Sequence, residues 1–546
     1  MTPTEKVSDL FADPMLMHMP RLLSQVDRNP HSPTYGCCCR NHWHYRIEDI
    51  ANAQMQEMVL TFALVWKWDH PHNPFYQSPM LLEWIEAILA FTLRIQRRNG
   101  CFDEVYRGQD SYAATAFVTF YVSETVLQLG GNLTGSLRQA LDVMLNRAAG
   151  WLARTEEHLA GNQVSGAAAA FMNLAALDPS RGYEEGLGDL LDALGTLQTD
   201  EGWFPEYGGA DVGYASLTHT YLVLIAHRTK DARARRMADN SAIFLQHVLH
   251  RDGTVGGIYG SRNTAYFIPV GAILDRNAND ASARLYHFLV THLDSGAHAV
   301  IAECLDDRYL AYLSPFYLLA AHAARGLQAG DATAPPTLTG AHHLKQAGLW
   351  CVEEADYKLI ANLRKGGVFH LDMGEAAFVD CGYFGDIPDG QVVTTQFLDP
   401  HTHIDLEDNR ARITAHLVVN KPITISPWKN ITVRSFNLLV PALLRRRFLD
   451  FLRGRAVSAG ESVGTVLREI VVTENAVEVT DHIKVDEPVL NLVLQLETER
   501  AFSFASTGFF EPQELYLDEG VIPIDLAGGP LTLRRRYTAE GMLVIE

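Results

Sequence analysis

The stretches LRIQRRNGCFDEVY (residues 93–106) and LGTLQTDEGWFPEY (residues 194–207) decide the fold. Each closes a helical pattern with a Gln-containing or polar turn, a glycine, an aromatic residue, and then an acid or tyrosine. FLQHVLHRDGTVGGIY (residues 244–259) repeats the arrangement more loosely. The marking glycines, Gly100, Gly202 and Gly253, lie 102 and 51 residues apart, so the unit is about 51 residues, room for two helices and their turns. Outward from these marks, apolar residues recur at three- and four-residue steps from about residue 50 to 325. Met55, Met58, Val59, Phe62, Val65 and Trp66 form one such face, and Leu81, Trp84, Ile85, Ile88 and Leu89 another. At least ten helices, and so five to six hairpins, are expected. They either stack linearly or close into an (α/α) toroid.

The C-terminal third has a different grammar. GLQAGDATAPPTLTGAHH (residues 326–343) reads as a linker, and period-two runs follow, among them YKLIANL, ARITAHLVV, ITISPW, TVLREIVVT, AVEVTDHIKV and VLNLVLQLE. Many short alternating strands with turns between them predict an antiparallel β-sandwich. One helix, near residues 435–453, interrupts them. The expected fold class is α+β multidomain: an N-terminal segment at 1–50 contributing to a cleft, an (α/α) toroid at 51–326, a linker at 327–347 and a β-sandwich at 348–546.

The chain has 546 residues and a net charge of −20, with 47% hydrophobic and 20% charged residues, a globular balance that excludes disorder and coiled coil. The acidic excess argues against nucleic acid and anionic membranes as partners, because both need a basic face. No run is apolar enough to span a membrane, and the N-terminus lacks signal-peptide grammar, so a cytoplasmic protein is expected. Seven cysteines, three of them consecutive at Cys37–Cys39, fit reduced thiols.

Polar and aromatic residues concentrate in the inter-helix loops. Residues 35–56 hold Arg40, His42, Trp43, His44 and Tyr45; residues 100–117 hold Asp103, Glu104, Tyr106 and Asp110. Residues 200–221 hold Trp203, Glu206, Tyr207, Asp211 and Tyr214, and residues 256–267 hold Arg262, Asn263 and Tyr266. Asn162 and Gln163 open a small-residue helix between them. Aromatic faces stack on sugar rings while Arg and His meet carboxylates, so loops gathered at one rim of a ring suit a glycan. For Asp110 and Asn162, helix capping is the competing reading. A zinc site from Cys37–Cys39, His42 and His44 lacks a second spaced pair. No metal or cofactor is expected for the chemistry, with a structural zinc or calcium ion left open.

The segments YGC-x2-R-x2-WHY, GCFDEVY and EGWFPEYGGADVGY resemble the heparinase II/III-like group of polysaccharide lyases, as does the order of helical domain then β-domain. The resemblance implies an (α/α) toroid joined to a β-sandwich, and β-elimination on a uronic-acid glycan. It places Asn162 as the group that neutralises the uronate, Tyr207 or Tyr214 as acid and base, and His44 and Arg40 in the N-terminal motif. The group's β-domain histidine segment has its nearest counterparts in His370 and Asp372, or in His401, His403 and Asp405.

Three other readings use the same residues. Glycoside hydrolysis would draw two carboxylates from Glu104, Glu206 and Asp211. Uronyl C5-epimerisation shares the proton abstraction, and a non-catalytic glycan-binding role in polysaccharide assembly needs no chemistry. In each, the partner is an anionic or neutral polysaccharide or oligosaccharide.

Overall fold

The computed structural model describes residues 6–292, 305–332, 335–336, 338–420, 426–440, 460–496, 520–526 and 529–545. Six inner helices close into a ring: Met58–Lys67, Tyr112–Leu129, Gly161–Leu177, Val212–Thr229, Val270–Asp275 and Asp307–Ala323. Each touches the next, and the last touches the first. At the seam the hydroxyls of Thr61 and Ser314 hydrogen-bond at 2.7 Å. Outside them stand Pro79–Ile95, Gly135–Leu152, Tyr183–Leu197, Ala232–Leu245, Asp280–His292 and, behind the last inner helix, Val7–Met17. The toroid reading holds, and the linear stack does not.

Burial follows from this layering. Nearly every side chain of Tyr112–Leu129 is buried, whereas Gly135–Leu152 buries one face only. The repeat marks have a common cause. Gly100 and Gly202 have φ of +101° and +92°, and a Cβ at either would collide with a carbonyl of the next outer helix, Arg147 or Asn240. Four residues earlier, Gln96 donates to the carbonyls of Gly100 and Met144, both at 2.9 Å. Gln198 does the same for Gly202 at 3.0 Å and Met237 at 2.9 Å.

Strands Gly340–Leu344, Leu349–Glu353, Tyr357–Asn362, Val368–Met373 and Ala376–Asp380 form an antiparallel meander in chain order. The first lies within the stretch read as linker. A ten-stranded antiparallel sheet, with Arg410–Asn420, Ser462–Thr473 and Ala476–Val485 adjacent at its centre, covers one face of the meander. Trp350, Leu359 and Phe369 meet Ile413, Ile470 and Val479 in that interface. The other face packs on the toroid, where Leu349, Ile360 and Val368 meet Phe244, Leu249 and Tyr259. The interrupting helix is Pro427–Leu439, starting inside the run ITISPW and earlier than expected; residues 441–459, with Arg445–Arg447, Arg453 and Arg455, lie outside the described residues. On the strand Leu531–Thr538, Arg534 and Arg536 are exposed, but Arg535 is fully buried with Arg468 against Asp380 and Asp481. Among the described residues no helix is long and apolar enough to cross a membrane.

Candidate active site

The inner helices present their first turns to one end of the ring, and these turns line a cleft of about 350 Å³. Asn162 and Gln163 open one helix. Residues 159–161 pair with residues 205–207: Gly161 donates to the Pro205 carbonyl and Tyr207 N–H to that of Leu159, both at 3.0 Å. That pairing sets Glu206 and Tyr207 beside the two amides. Tyr207 adopts φ of +52°, an uncommon backbone for a residue with a Cβ and one found most often where function over-determines it.

Asp211 caps the next helix, Val212–Thr229. Its carboxylate accepts from the backbone N–H groups of Tyr214 (3.4 Å), Arg262 (3.0 Å) and Thr264 (3.3 Å), and from the Thr264 hydroxyl. Ser261 adds two bonds of 2.8 Å, its N–H to the Ala210 carbonyl and its hydroxyl to that of Glu206. From the β-region, the buried Lys365 ammonium donates to the carbonyls of Ile258 and Gly260 at 2.7 Å and to Asn263 Oδ1 at 2.5 Å. The loop so held lays the Arg262 guanidinium over the Tyr207 ring, 4.7 Å from its centroid. Burial works against the charge on Arg262, but Tyr214, Tyr207 and Glu206 around it more than offset that and raise it above its ordinary value.

Across the cleft, Arg308 donates to Glu104 at 2.8 Å and to Gln54 Oε1 at 3.1 Å. The hydroxyls of Tyr214 and Tyr309 stand 3.4 Å apart. At the floor, Glu57 is buried with Oε1 unpartnered; burial pushes its carboxyl well above the usual range, against the pull of Arg308. Asn162 Oδ1 and Gln163 Oε1 are likewise buried without a hydrogen-bond partner.

The structure therefore gathers Glu104, Asn162, Gln163, Glu206, Tyr207, Tyr214 and Arg262 in one cleft. Several other expected residues stand elsewhere. His44 is exposed between the rings of Trp43 and Tyr45, with centroids at 5.1 and 4.8 Å, and Arg40 lies 5.4 Å from the Tyr45 centroid. None of these four lines the cleft, because residues 40–46 turn outward beside a second cavity of about 610 Å³ that His42, Asp49, Arg94, Arg97, Arg98 and Arg107 help to line. Trp203 is core against the meander, its indole N–H donating to Glu201 at 3.0 Å. Asp211 is spent on the cap, and Asn263 is tied to Lys365. Tyr266 is buried behind Tyr214 and Tyr309, and Tyr106 sits half-buried on the 103–108 turn. Asp110 caps nothing; Ser111 caps Tyr112–Leu129.

The cysteine triplet is buried, and burial pushes the Cys39 thiol up to about 11. His370 and Asp372 lie between toroid and meander, paired at 3.0 Å, with His370 stacked on His250; His401, His403 and Asp405 are exposed. None lines the cleft. Glu57, Arg308, Tyr309 and Tyr312 went unnoticed because they adjoin or belong to apolar helices. The signal was positional: they occupy the helix starts equivalent to those of Asn162 and Tyr214.

No protein-family model matches the sequence, and no curated protein matches it. Solved structures do. The chain is similar to Paenibacillus xanthan lyase, with 9% identity and a TM-score of 0.54 over 91% of this chain and 47% of that one. It is similar to the Streptomyces coelicolor A3 chondroitin AC lyase in complex with chondroitin sulphate, with 11% identity and a TM-score of 0.56 over 91% of this chain and 69% of that one. The chain thus spans about half the length of the xanthan lyase. Its fold is that of the toroid-plus-sandwich polysaccharide lyases, the architecture expected from the helical repeat and the strand pattern.

Proposed function

We propose that the protein is a polysaccharide lyase that cleaves a uronic-acid-containing glycan by β-elimination. The carrying observation is the pair of buried amides, Asn162 and Gln163, whose side-chain oxygens lack partners, in the same cleft as Arg262 and Tyr207. Buried amide oxygens without partners are costly unless a ligand satisfies them. These oxygens accept, so sugar hydroxyls suit them, while the amide N–H groups and Arg262 are the donors that take up the negative charge growing on the uronate as the C5 proton leaves. Tyr207 or Tyr214 removes that proton, the C4–O4 bond breaks as the C4–C5 double bond forms, and a tyrosine hydroxyl returns a proton to O4. Arg94, Arg98 and Arg107 in the adjoining cavity suit further acidic sugar units. The chondroitin AC lyase of like fold, seen with chondroitin sulphate, supports a uronate polymer as substrate.

One observation favours a second reading, hydrolysis. Glu57, whose carboxyl burial pushes well above the usual range, lines the same cleft as Glu104 and Glu206, and glycoside hydrolysis uses two carboxyl groups. Incubation with a panel of uronate polymers separates the two. The lyase makes an unsaturated uronate that absorbs in the ultraviolet, one chromophore per new reducing end. Reducing ends without that chromophore would overturn β-elimination and leave hydrolysis standing.

A further inference from the structure

We propose that Asp13, His70 and His72, remote from the cleft, bind a divalent transition-metal ion of the zinc class that staples the ring across its seam. Asp13 lies on the outer helix Val7–Met17, which packs behind the last inner helix. His70 and His72 follow the first inner helix, Met58–Lys67, in the run DHPHNP. An ion held by all three ties the first hairpin to the last.

The distances carry the argument. His70 Nδ1 and His72 Nδ1 stand 3.7 and 3.5 Å from the same oxygen, Asp13 Oδ1, and all three atoms lie within 4.8 Å of one another. Those gaps are too long for hydrogen bonds. Two ligand atoms each about 2.0–2.1 Å from a tetrahedral ion stand about 3.3–3.4 Å apart, close to the spacing seen. Asp13 Oδ1 is moreover buried without a hydrogen-bond partner, so the oxygen common to both contacts is unsatisfied.

The surroundings fit a ligand set. His70 Nδ1 accepts the His72 backbone N–H at 3.3 Å, a long bond that an ion at Nδ1 has to displace. His70 Nε2 stands 3.6 Å from a second carboxylate, Asp9 Oδ1, too long for a hydrogen bond but placed to close on an imidazole polarised by a bound ion. Asp9 and Asp13 are four residues apart and share a helix face. Trp68 stacks on the His70 ring at 6.1 Å, and Pro71 limits the backbone between the two histidines. Two imidazoles and one carboxylate are a zinc-type donor set with one position left for water.

The test uses full-length protein stripped with a chelator and titrated with Zn²⁺ in a calorimeter, then with Co²⁺ as a spectroscopic probe. One equivalent should bind, raise the melting temperature and give visible ligand-field bands from Co²⁺. His72→Gln, at a 74% exposed side chain, and Asp13→Asn should each abolish that stoichiometric binding while melting like the stripped wild type. Asp9→Asn should weaken it about 10–100-fold. Absence of stoichiometric binding would overturn the proposal. So would binding of wild-type affinity in both His72→Gln and Asp13→Asn, which would put the ion elsewhere, for instance at His250, Asp252 and His370.

Discussion

The guanidinium of Arg262 lies over the ring of Tyr207, 4.7 Å from its centroid. The two residues are 55 positions apart in the chain, and neither holds its place alone. Tyr207 is fixed by strand-like pairing with residues 159–161 and a left-handed backbone. Arg262 is fixed by the Asp211 cap beneath it and Lys365 behind it. The cap of one inner helix therefore orders the loop that carries one of the cleft's two arginines, Arg262. A fixed positive charge thus lies beside a phenol in the same cleft as Asn162 and Gln163.

Tyr207→Phe removes the hydroxyl and keeps the ring under Arg262. If Tyr207 transfers the proton, kcat falls about 10²–10⁴-fold with KM little changed. Chromophore-release kinetics on the best uronate polymer measure it. Wild-type kcat in the variant would take Tyr207 out of the mechanism and leave Tyr214.

Asn162→Ala separates function from stability. A neutraliser's loss costs about 10²–10³ in kcat, the scale for one donor at a developing oxyanion. Its buried oxygen has no partner in the fold, so removing it should leave the melting temperature unchanged or raised. A lowered melting temperature with retained kcat would return Asn162 to a helix-start role.

Legibility tracked physical necessity. Gly100 and Gly202 could be read because only glycine fits a positive φ against a neighbouring carbonyl, and Gln96 and Gln198 recur with them. Glu206, Tyr207, Tyr214 and Arg262 stood out because polar aromatic loops between apolar helices have no packing reason to exist. Glu57, Arg308 and Tyr309 did not, since a polar residue beside an apolar helix looks like its solvent edge until ring closure turns that end inward. Trp43 and His44 misled for the converse reason. Local density of donors and rings says nothing about which way a loop faces. Asp211 was visible as an acid, but its hold on the distant Arg262–Thr264 loop was not.

Acid should destabilise the ring well above the carboxylate range. Burial lowers His219 to about 4, so the folded state keeps it neutral where the unfolded chain, at 6.5, is already protonated. The stability this contributes is full above 6.5 and is lost as pH falls toward 4, roughly 3 kcal/mol at most. His247, lowered to about 3, and His322, lowered to about 4, act with the same sign. Denaturant midpoints across that window should drop for wild type and drop less for His219→Leu. Equal losses in the two proteins would rule His219 out as a contributor.

Lys365→Met and Arg535→Met remove two buried basic side chains with different consequences; burial lowers Lys365 to about 7. Lys365 supplies three hydrogen bonds to the loop that carries Arg262, and each buried acceptor left without a donor costs about 1–3 kcal/mol. Arg535 sits within the sandwich against Asp380 and Asp481, and breaking such a buried pair costs about 3–5 kcal/mol. Both variants should therefore melt earlier. Only Lys365→Met should also lower kcat per folded molecule, because only its partners belong to the loop that carries Arg262 into the cleft. Circular dichroism sets the folded fraction, and initial rates divided by it give the comparison. A Lys365→Met enzyme with wild-type kcat would show that the Arg262 loop keeps its geometry through Asp211 alone.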